Sequence, residues 1–358
     1  LASWNAVIGK QVTGSHREVG IGYSHVMGVG GSTLHYVGEA HRMHPESFTL
    51  RQDFGVGANW PVSYSDLDRY YTECEELIGV AGPEDAEARW RSAPYPLPPH
   101  PLSPAAKALS SAGTRIGMKW QPNARAALSK PYDGRPACNY CANCSRGCPI
   151  GDKGSADVTF IRLALETGKL TLKSGAKVTK IITKKTGRIE AVEFVKDSQA
   201  HYQNTPILVL AAGAVQTPRI LLANASAENP NGLSNGSGQV GKNFMETLLW
   251  RSVGLLPGLS MSHAGLPADA ISWAHNAPDG VPGAVGGCRF NSNVQETGFV
   301  GPIAYGTRIV PGFGRQFQQR MRDVFGSAIS VGAIGAIIPD ERSFIDLDPE
   351  RVDETGMP

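Results

Sequence analysis

The sequence lacks any apolar run of the roughly 18 residues needed to span a bilayer. Its longest candidate, residues 325–338, is broken by Gly326, Ser327, Ser330, Gly332 and Gly335, and reads as a buried strand or tight segment. A surplus of one charge is also missing: 34 Lys and Arg stand against 32 Asp and Glu, for a net charge of +2. That balance argues against a protein built to coat nucleic acid or an anionic membrane. A spread-out disulfide framework is absent too. There are only six cysteines, four of them crowded into residues 138–148, while Cys74 and Cys288 stand alone. A local thiol cluster points instead to metal chemistry or a structural knot. No charged-then-apolar leader follows Leu1, and residues 353–358 read as a turn inside a domain. Both ends therefore read as cuts in a longer chain, and the missing targeting segment carries no information about compartment.

What is present is an ordinary globular composition, 41% hydrophobic. Gly (42) and Pro (25) together stay below the roughly 25–30% that marks low-complexity disorder. The 358 residues suggest about two domains, at roughly 100–200 residues each. From Ser65 to Ile78, Leu67, Tyr70, Tyr71, Cys74, Leu77 and Ile78 fall on one helical face, which makes Cys74 a core residue. Ser65 with Asp68 reads as a capping box, and Gly79 as the stop. Residues 83–104 are proline-heavy, a surface excursion, after which Ser103-Pro104 opens an alanine-rich helix. Residues 155–168 read as another helix. Residues 177–183 and 189–195, around Lys184-Lys185-Thr186-Gly187, read as a hairpin. The run 207–210 reads as a buried strand ending in a glycine turn, with Thr217 and Pro218 opening a helix. Strand, turn and helix N-terminus together make a ready nucleotide site or an ordinary connection. A domain boundary is expected near Glu246.

Two clusters carry chemistry. Gly28-Val29-Gly30-Gly31-Ser32-Thr33 lets backbone approach a flat or phosphorylated ligand, although it equally serves a tight turn. Cys138-x2-Cys141-x2-Cys144-x3-Cys148-Pro149 has the spacing of bacterial ferredoxins, in which thiolates hold an iron–sulfur cluster. A structural cysteine loop and a zinc site are the alternatives. Zinc sites usually draw paired knuckles from separated segments, and here there is one short run.

Four ordered blocks resemble the glucose–methanol–choline (GMC) oxidoreductases. They are Gly28-Val29-Gly30-Gly31-Ser32-Thr33-Leu34-His35-Tyr36; Trp60-Pro61-Val62-Ser63-Tyr64-Ser65-Asp66-Leu67 with Tyr70-Tyr71; Gly213-Ala214-Val215-Gln216-Thr217-Pro218-Arg219-Ile220-Leu221; and Val240-Gly241-Lys242-Asn243-Phe244-Met245. The resemblance implies an α/β fold: an incomplete FAD-binding Rossmann-like domain with an α+β substrate-binding domain built on an antiparallel sheet. The corresponding division is 1–82 and 156–246 for the FAD-binding part, 83–155 for a Pro- and Cys-rich insertion, and 247–358 for the substrate part. It further implies that Gly30, Gly31, Ser32 and Thr33 run along the flavin, that Val178 meets the adenine through its backbone, and that Gly213 and Ala214 lie near the cofactor. His35 takes the position where some members bond a histidine covalently to the flavin; a non-covalent neighbour of the ring is the other reading. Asn224-Ala225 and Thr247 depart from the family pattern without removing an evident cofactor contact.

The cysteine run is similar to the cluster segment of the family's multi-subunit gluconate, glucose and fructose dehydrogenases. There Cys138, Cys144 and Cys148 would hold a [3Fe-4S] cluster, with Cys141 extra. The implied activity is oxidation of a CH–OH group of a sugar, sugar acid or polyol by hydride transfer to FAD, with electrons passed to an acceptor other than oxygen. A small subunit and a cytochrome c are the implied partners, and a periplasmic or membrane-associated setting is implied with them; nucleic acid is not. The family's Gly-x-Gly-x-x-Gly and its C-terminal histidine with a His or Asn partner are not seen, so no catalytic residue is assigned. An oxygen-using oxidase and a non-catalytic homologue remain the alternatives.

Overall fold

The computed structural model describes residues 5–12, 18–84, 90–292 and 302–358. Two compact units divide it. Unit 1 comprises Leu1–Leu170 and Thr247–Ala336, and unit 2 comprises Thr171–Glu246 and Ile337–Pro358. The change of unit falls between Glu246 and Thr247, and residues 83–155 sit in unit 1 with the segments on either side of them.

Unit 1 opens with an antiparallel pair, β1 (Asn5–Val12) and β2 (Glu18–His25), and a short 3-10 turn at Gly31–Leu34. Helix α1 (Leu50–Phe54) precedes α2 (Tyr64–Ile78). The capping box of α2 is Ser63 with Asp66, two residues before the expected pair, and Gly79 ends the helix in the left-handed region. Ser63 wins because its backbone is extended, leaving its hydroxyl free to accept the Asp66 N–H, whereas Ser65 is already helical. Cys74 is exposed, not in the core. Its neighbour Glu75 takes the buried position, because two arginines pair with it there. The expected Ser103 cap of α3 (Pro104–Arg115) is present, accepting the Ala106 N–H with Pro104 in the first turn. The proline-heavy stretch before it is not wholly on the surface: Leu97 and His100 are buried. The helix expected over 155–168 forms only from Asp157 to Glu166, as a wide π turn (Asp157–Ile161) followed by α4 (Arg162–Glu166).

A five-stranded antiparallel sheet completes unit 1: β3 (Gln121–Pro122), β7 (Leu248–Leu255), β8 (Ala270–His275), β9 (Cys288–Ser292) and β10 (Ala328–Gly335), in the order β3-β8-β9-β10-β7. The strand expected within 325–338 is β10, paired between β9 and the edge strand β7 and alternately buried along its first half. Helix α6 (Pro302–Ala304) and α7 (Gly314–Val324) precede it. The unit's hydrophobic clusters are built largely on alanines, such as Ala124, Ala126 and Ala127, which let backbones approach closely.

Unit 2 holds the expected hairpin as β4 (Lys177–Thr183) and β5 (Ile189–Lys196), extended by β6 (Gln199–Asn204) into a three-stranded antiparallel sheet. Helix α5 (Gly213–Ala223) starts four residues earlier than Thr217 and carries Pro218 inside it. Thr217 still serves as a cap of a kind, its hydroxyl accepting the Ala212 N–H at 3.2 Å. The run 207–210 forms no strand, and Ile207 and Val209 are 77% and 81% exposed. An apolar run becomes a buried strand only where a sheet receives it, and none of the described strands pairs with this one. No described helix is long and apolar enough to cross a membrane.

Candidate functional site

The glycine segment begins with a backbone that most residues resist. Gly30 and Gly31 have φ values of 95° and 55°, and the turn over Gly31–Leu34 follows directly. A Cβ on Gly30 would stand 2.9 Å from Leu34 Cδ2 and 3.2 Å from the Cβ of Asp157, so the position is closed by this chain's own atoms. At Gly31 nothing lies within 4 Å of the same point, which leaves a bare backbone edge. Ser32 Oγ accepts the Val26 N–H at 3.3 Å; Thr33 Oγ1 donates to the Gly30 carbonyl and accepts the Ala156 N–H at 3.0 Å. The segment is thus held from both sides while one edge stays open.

His35 is buried, and its Nδ1 lies 3.0 Å from the Ser145 carbonyl oxygen. A carbonyl only accepts, so the proton of that contact sits on Nδ1. Tyr36 donates its hydroxyl to Gly154 O at 2.8 Å, and burial pushes the phenol up to about 12. The strongest link is Lys153, 1% exposed. Its ammonium donates to Leu34 O and Tyr36 O at 2.9 Å and to Cys144 O at 2.8 Å. Three carbonyls use all three ammonium donors, which is how a buried lysine stays satisfied. Residues 30–36 and 144–157 are therefore one polar-bonded body. Neither Lys153 nor Asp152 was expected from the sequence. A charged pair directly after the cysteine run, bracketed by Gly151 and Gly154, was the signal that such charges are buried with partners.

Within that body Cys144 is buried, Cys138 and Cys148 are half-buried, and Cys141 is exposed; none is in a disulfide. Cys148 donates to Asp152 Oδ1 at 2.6 Å, and burial and the Asp152 carboxyl both raise the Cys138 thiol. Burial pushes the Cys138 thiol up to about 12 and raises Cys144 and Cys148 as well. Three thiols are thus grouped near one buried carboxyl, with Cys141 outside the group. Among the described residues, no set of three or more His, Cys, Asp or Glu side chains is placed to hold a metal ion.

For FAD, the group the resemblance implies, the residues of unit 1 offer two fitting features: the bare backbone edge at Gly31 and a buried acceptor. Asp157 Oδ1, on the residue whose Cβ flanks Gly30, is buried with no hydrogen-bond partner among the described residues. A flavin carries ring N–H and ribityl O–H donors, the kind of group such an acceptor needs. Val178, Gly213 and Ala214 lie in unit 2. Val178 is half-buried in β4 beside a bulge, and Gly213 and Ala214 are exposed at the start of α5. Gly213 has φ 86° and, like Gly31, nothing within 4 Å of where a Cβ would stand. His41 is bonded to Asn123 Oδ1 at 2.6 Å and lies beside Glu39.

Among curated proteins, the chain is 30% identical to the fructose dehydrogenase large subunit of Gluconobacter japonicus, over 93% of this chain and 61% of that protein. It is 28% identical to 2-methyl-1,2-propanediol dehydrogenase of Mycolicibacterium austroafricanum, over 92% and 61%, and 26% identical to the gluconate 2-dehydrogenase flavoprotein of Pantoea cypripedii, over 92% and 60%. The chain thus spans about three fifths of the length of these relatives. Among solved structures, pyridoxine 4-oxidase from Mesorbium loti superposes with a TM-score of 0.59 at 16% identity, over 92% of this chain and 60% of that one, a likeness of fold. The GMC oxidoreductase family model matches residues 28–248, a stretch that runs from the glycine segment through the cysteine run and α5. The chain belongs to the GMC oxidoreductase family.

Proposed function

We propose that this chain is part of an FAD-dependent dehydrogenase acting on a CH–OH group of a sugar, sugar acid or polyol. The observation that carries the reading is the polar-bonded body of residues 30–36 and 144–157, which fixes a bare glycine edge beside a buried, unsatisfied acceptor. The names of the relatives support the substrate class: fructose, gluconate and a diol are what those proteins are called after. When bound, the flavin supplies the hydride acceptor. Gly30 and Gly31 supply the close backbone approach, Thr33 and Lys153 hold their loop rigid, Asp157 Oδ1 accepts a donor of the cofactor, and buried His35 fixes the end of the segment. Val178, Gly213 and Ala214 are the residues of unit 2 that join the cofactor-binding set.

Cys138, Cys144 and Cys148 are the residues that would hold an iron–sulfur cluster, with Cys141 outside the set. The resemblance carries that choice of three, and the exposure of Cys141 beside the buried Cys144 accords with it. In the thiol form Cys148 donates to Asp152 at 2.6 Å, and ligation would require all three thiols to lose their protons. A cluster supplies one-electron transfer to a partner, which is the basis for proposing an acceptor other than oxygen, a small subunit, a cytochrome c and a periplasmic or membrane-associated setting.

Two measurements test the reading. Anaerobic addition of fructose, gluconate or a 1,2-diol to the flavin-loaded protein should bleach the oxidised flavin band; a band that none of the three bleaches contradicts the substrate class. Iron and acid-labile sulfide should be present on anaerobically purified protein and absent from a Cys144→Ser variant. Zinc without sulfide would sink the cluster.

A further inference from the structure

On unit 1, a cavity of about 760 Å³ opens between the start of α2 and the end of β8. None of residues 30–36 or 138–157 lines it. Its aromatic walls are Trp90, Trp273 and Tyr64; its polar walls include Asp68, Ser92 and Arg91. Both indoles are braced from the side. The His44 ring meets Trp90 edge-on at 4.3 Å, and the His41 ring meets Trp273 edge-on at 5.0 Å. Trp90 is held in a conformation a bulky residue rarely takes, with φ 44°, and Tyr64 donates its hydroxyl to the Trp90 carbonyl at 2.7 Å. The indole nevertheless stays 47% exposed. A strained backbone that keeps a large ring uncovered is a feature found at binding sites, where the surrounding structure over-determines it.

The charges behind the wall choose the ligand class. Arg42 pairs with both Asp68 and Glu75, and Arg91 pairs with Glu75. Two guanidinium groups meet two carboxylates, so neither an anion nor a cation gains from the site as a whole. The Ser92 hydrogen bond, with the Arg42 pairing, keeps Asp68 below the usual carboxylate range, so it remains an acceptor at neutral pH. A carboxylate offers about four acceptor positions, of which Arg42 and Ser92 use only part. Braced indole faces favour the C–H faces of a ring, and a carboxylate beside a hydroxyl favours O–H donors. The volume lies within the roughly 300–1,000 Å³ of small-molecule sites.

We propose that this cavity is a carbohydrate-binding site for a neutral hexose, stacked on Trp90 and Trp273 with its hydroxyls on Asp68 and Ser92. Binding here is read without turnover, so the inference stands or falls apart from the flavin reading. The test is titration of the whole chain with D-glucose and D-fructose, followed by tryptophan fluorescence and by saturation-transfer NMR, with acetate and choline as the anionic and cationic controls. Saturable binding of at least one hexose is expected, with both charged probes much weaker. Trp90→Ala and Trp273→Ala should each weaken it ~10-fold, and Trp90→Phe should keep most of it. Ser92→Ala, a small change that keeps both indoles, should weaken it ~3-fold and covers the case in which a tryptophan variant fails to fold. Absence of saturable hexose binding overturns the proposal. So does equal hexose binding in wild type, Trp90→Phe and Ser92→Ala together with either alanine variant, which would place the sugar elsewhere, and so does binding of the charged probes alone.

Discussion

Two regions of this chain carry GMC motifs and treat them differently. In unit 1 the glycine segment is pinned by buried polar groups: Lys153 on three carbonyls, His35 on Ser145, Thr33 on Ala156. In unit 2 the corresponding motif starts α5 at an exposed Gly213, after an apolar run at 207–210 in which Ile207 and Val209 are exposed. The first region has its scaffold among its own residues. The second has its tight bonding elsewhere, where Asp353 accepts from Lys177 at 2.9 Å and Arg219 at 2.7 Å and so ties β4 and α5 to the last residues. A motif's residue types alone do not say whether it is buried. The partners around it decide.

Substitutions can break this contrast, and the largest effect belongs to unit 1. Glu75 is buried between Arg42 and Arg91, so Glu75→Gln leaves Arg91 without its carboxylate and Arg42 with Asp68 alone, and should cost about 3–5 kcal/mol, read by urea unfolding. Lys153→Met should cost about 3 kcal/mol by leaving three buried carbonyls without their donor. A midpoint unchanged from wild type would mean that the two loops do not depend on it.

Unit 2 gives the smaller responses. Burial opposes the Asp353 charge, but hydrogen bonds from Thr355, Lys177 and Arg219 outweigh it and hold the carboxyl well below the usual carboxylate range. Its stabilisation is therefore complete above the ordinary carboxylate pKa and is lost as pH falls through the depressed one. Asp353→Asn should lower stability by about 1–2 kcal/mol at neutral pH, and the gap from wild type should close in acid. Val209→Ser, at an exposed position, should change stability by less than about 0.5 kcal/mol, and Cys74→Ser on α2 likewise. A loss above 2 kcal/mol at Val209 would show that the run is covered in solution.

Much of this was legible in the residues, and the failures share a cause. Local signals held: the Ser103-Pro104 start, the Gly79 stop and the hairpin around 184–187 depend on neighbours in sequence. The family blocks also held. What failed depended on distant partners. Cys74 sits on the apolar stripe of α2, yet the buried place went to Glu75 because Arg42 and Arg91 arrive from other segments. The run 207–210 has strand composition without a receiving sheet. Lys153 is buried because carbonyls of Leu34 and Tyr36, far away in sequence, join that of Cys144 around it. The aromatic cavity brings together residues near 64, 90 and 273, a separation that no motif spans.

The central claim is that the bare edge at Gly31 faces the flavin, and one variant tests it directly. Asn tolerates the φ of 55° found there, and nothing among the described residues lies within 4 Å of its Cβ, so Gly31→Asn should fold like the wild type by circular dichroism. A bound cofactor would meet the new side chain. The flavin-to-protein ratio of the purified full-length protein should fall at least ~10-fold in this variant, the penalty of about 1.4 kcal/mol or more that a steric clash imposes on binding. A folded Gly31→Asn protein that retains flavin at the wild-type ratio would contradict the account.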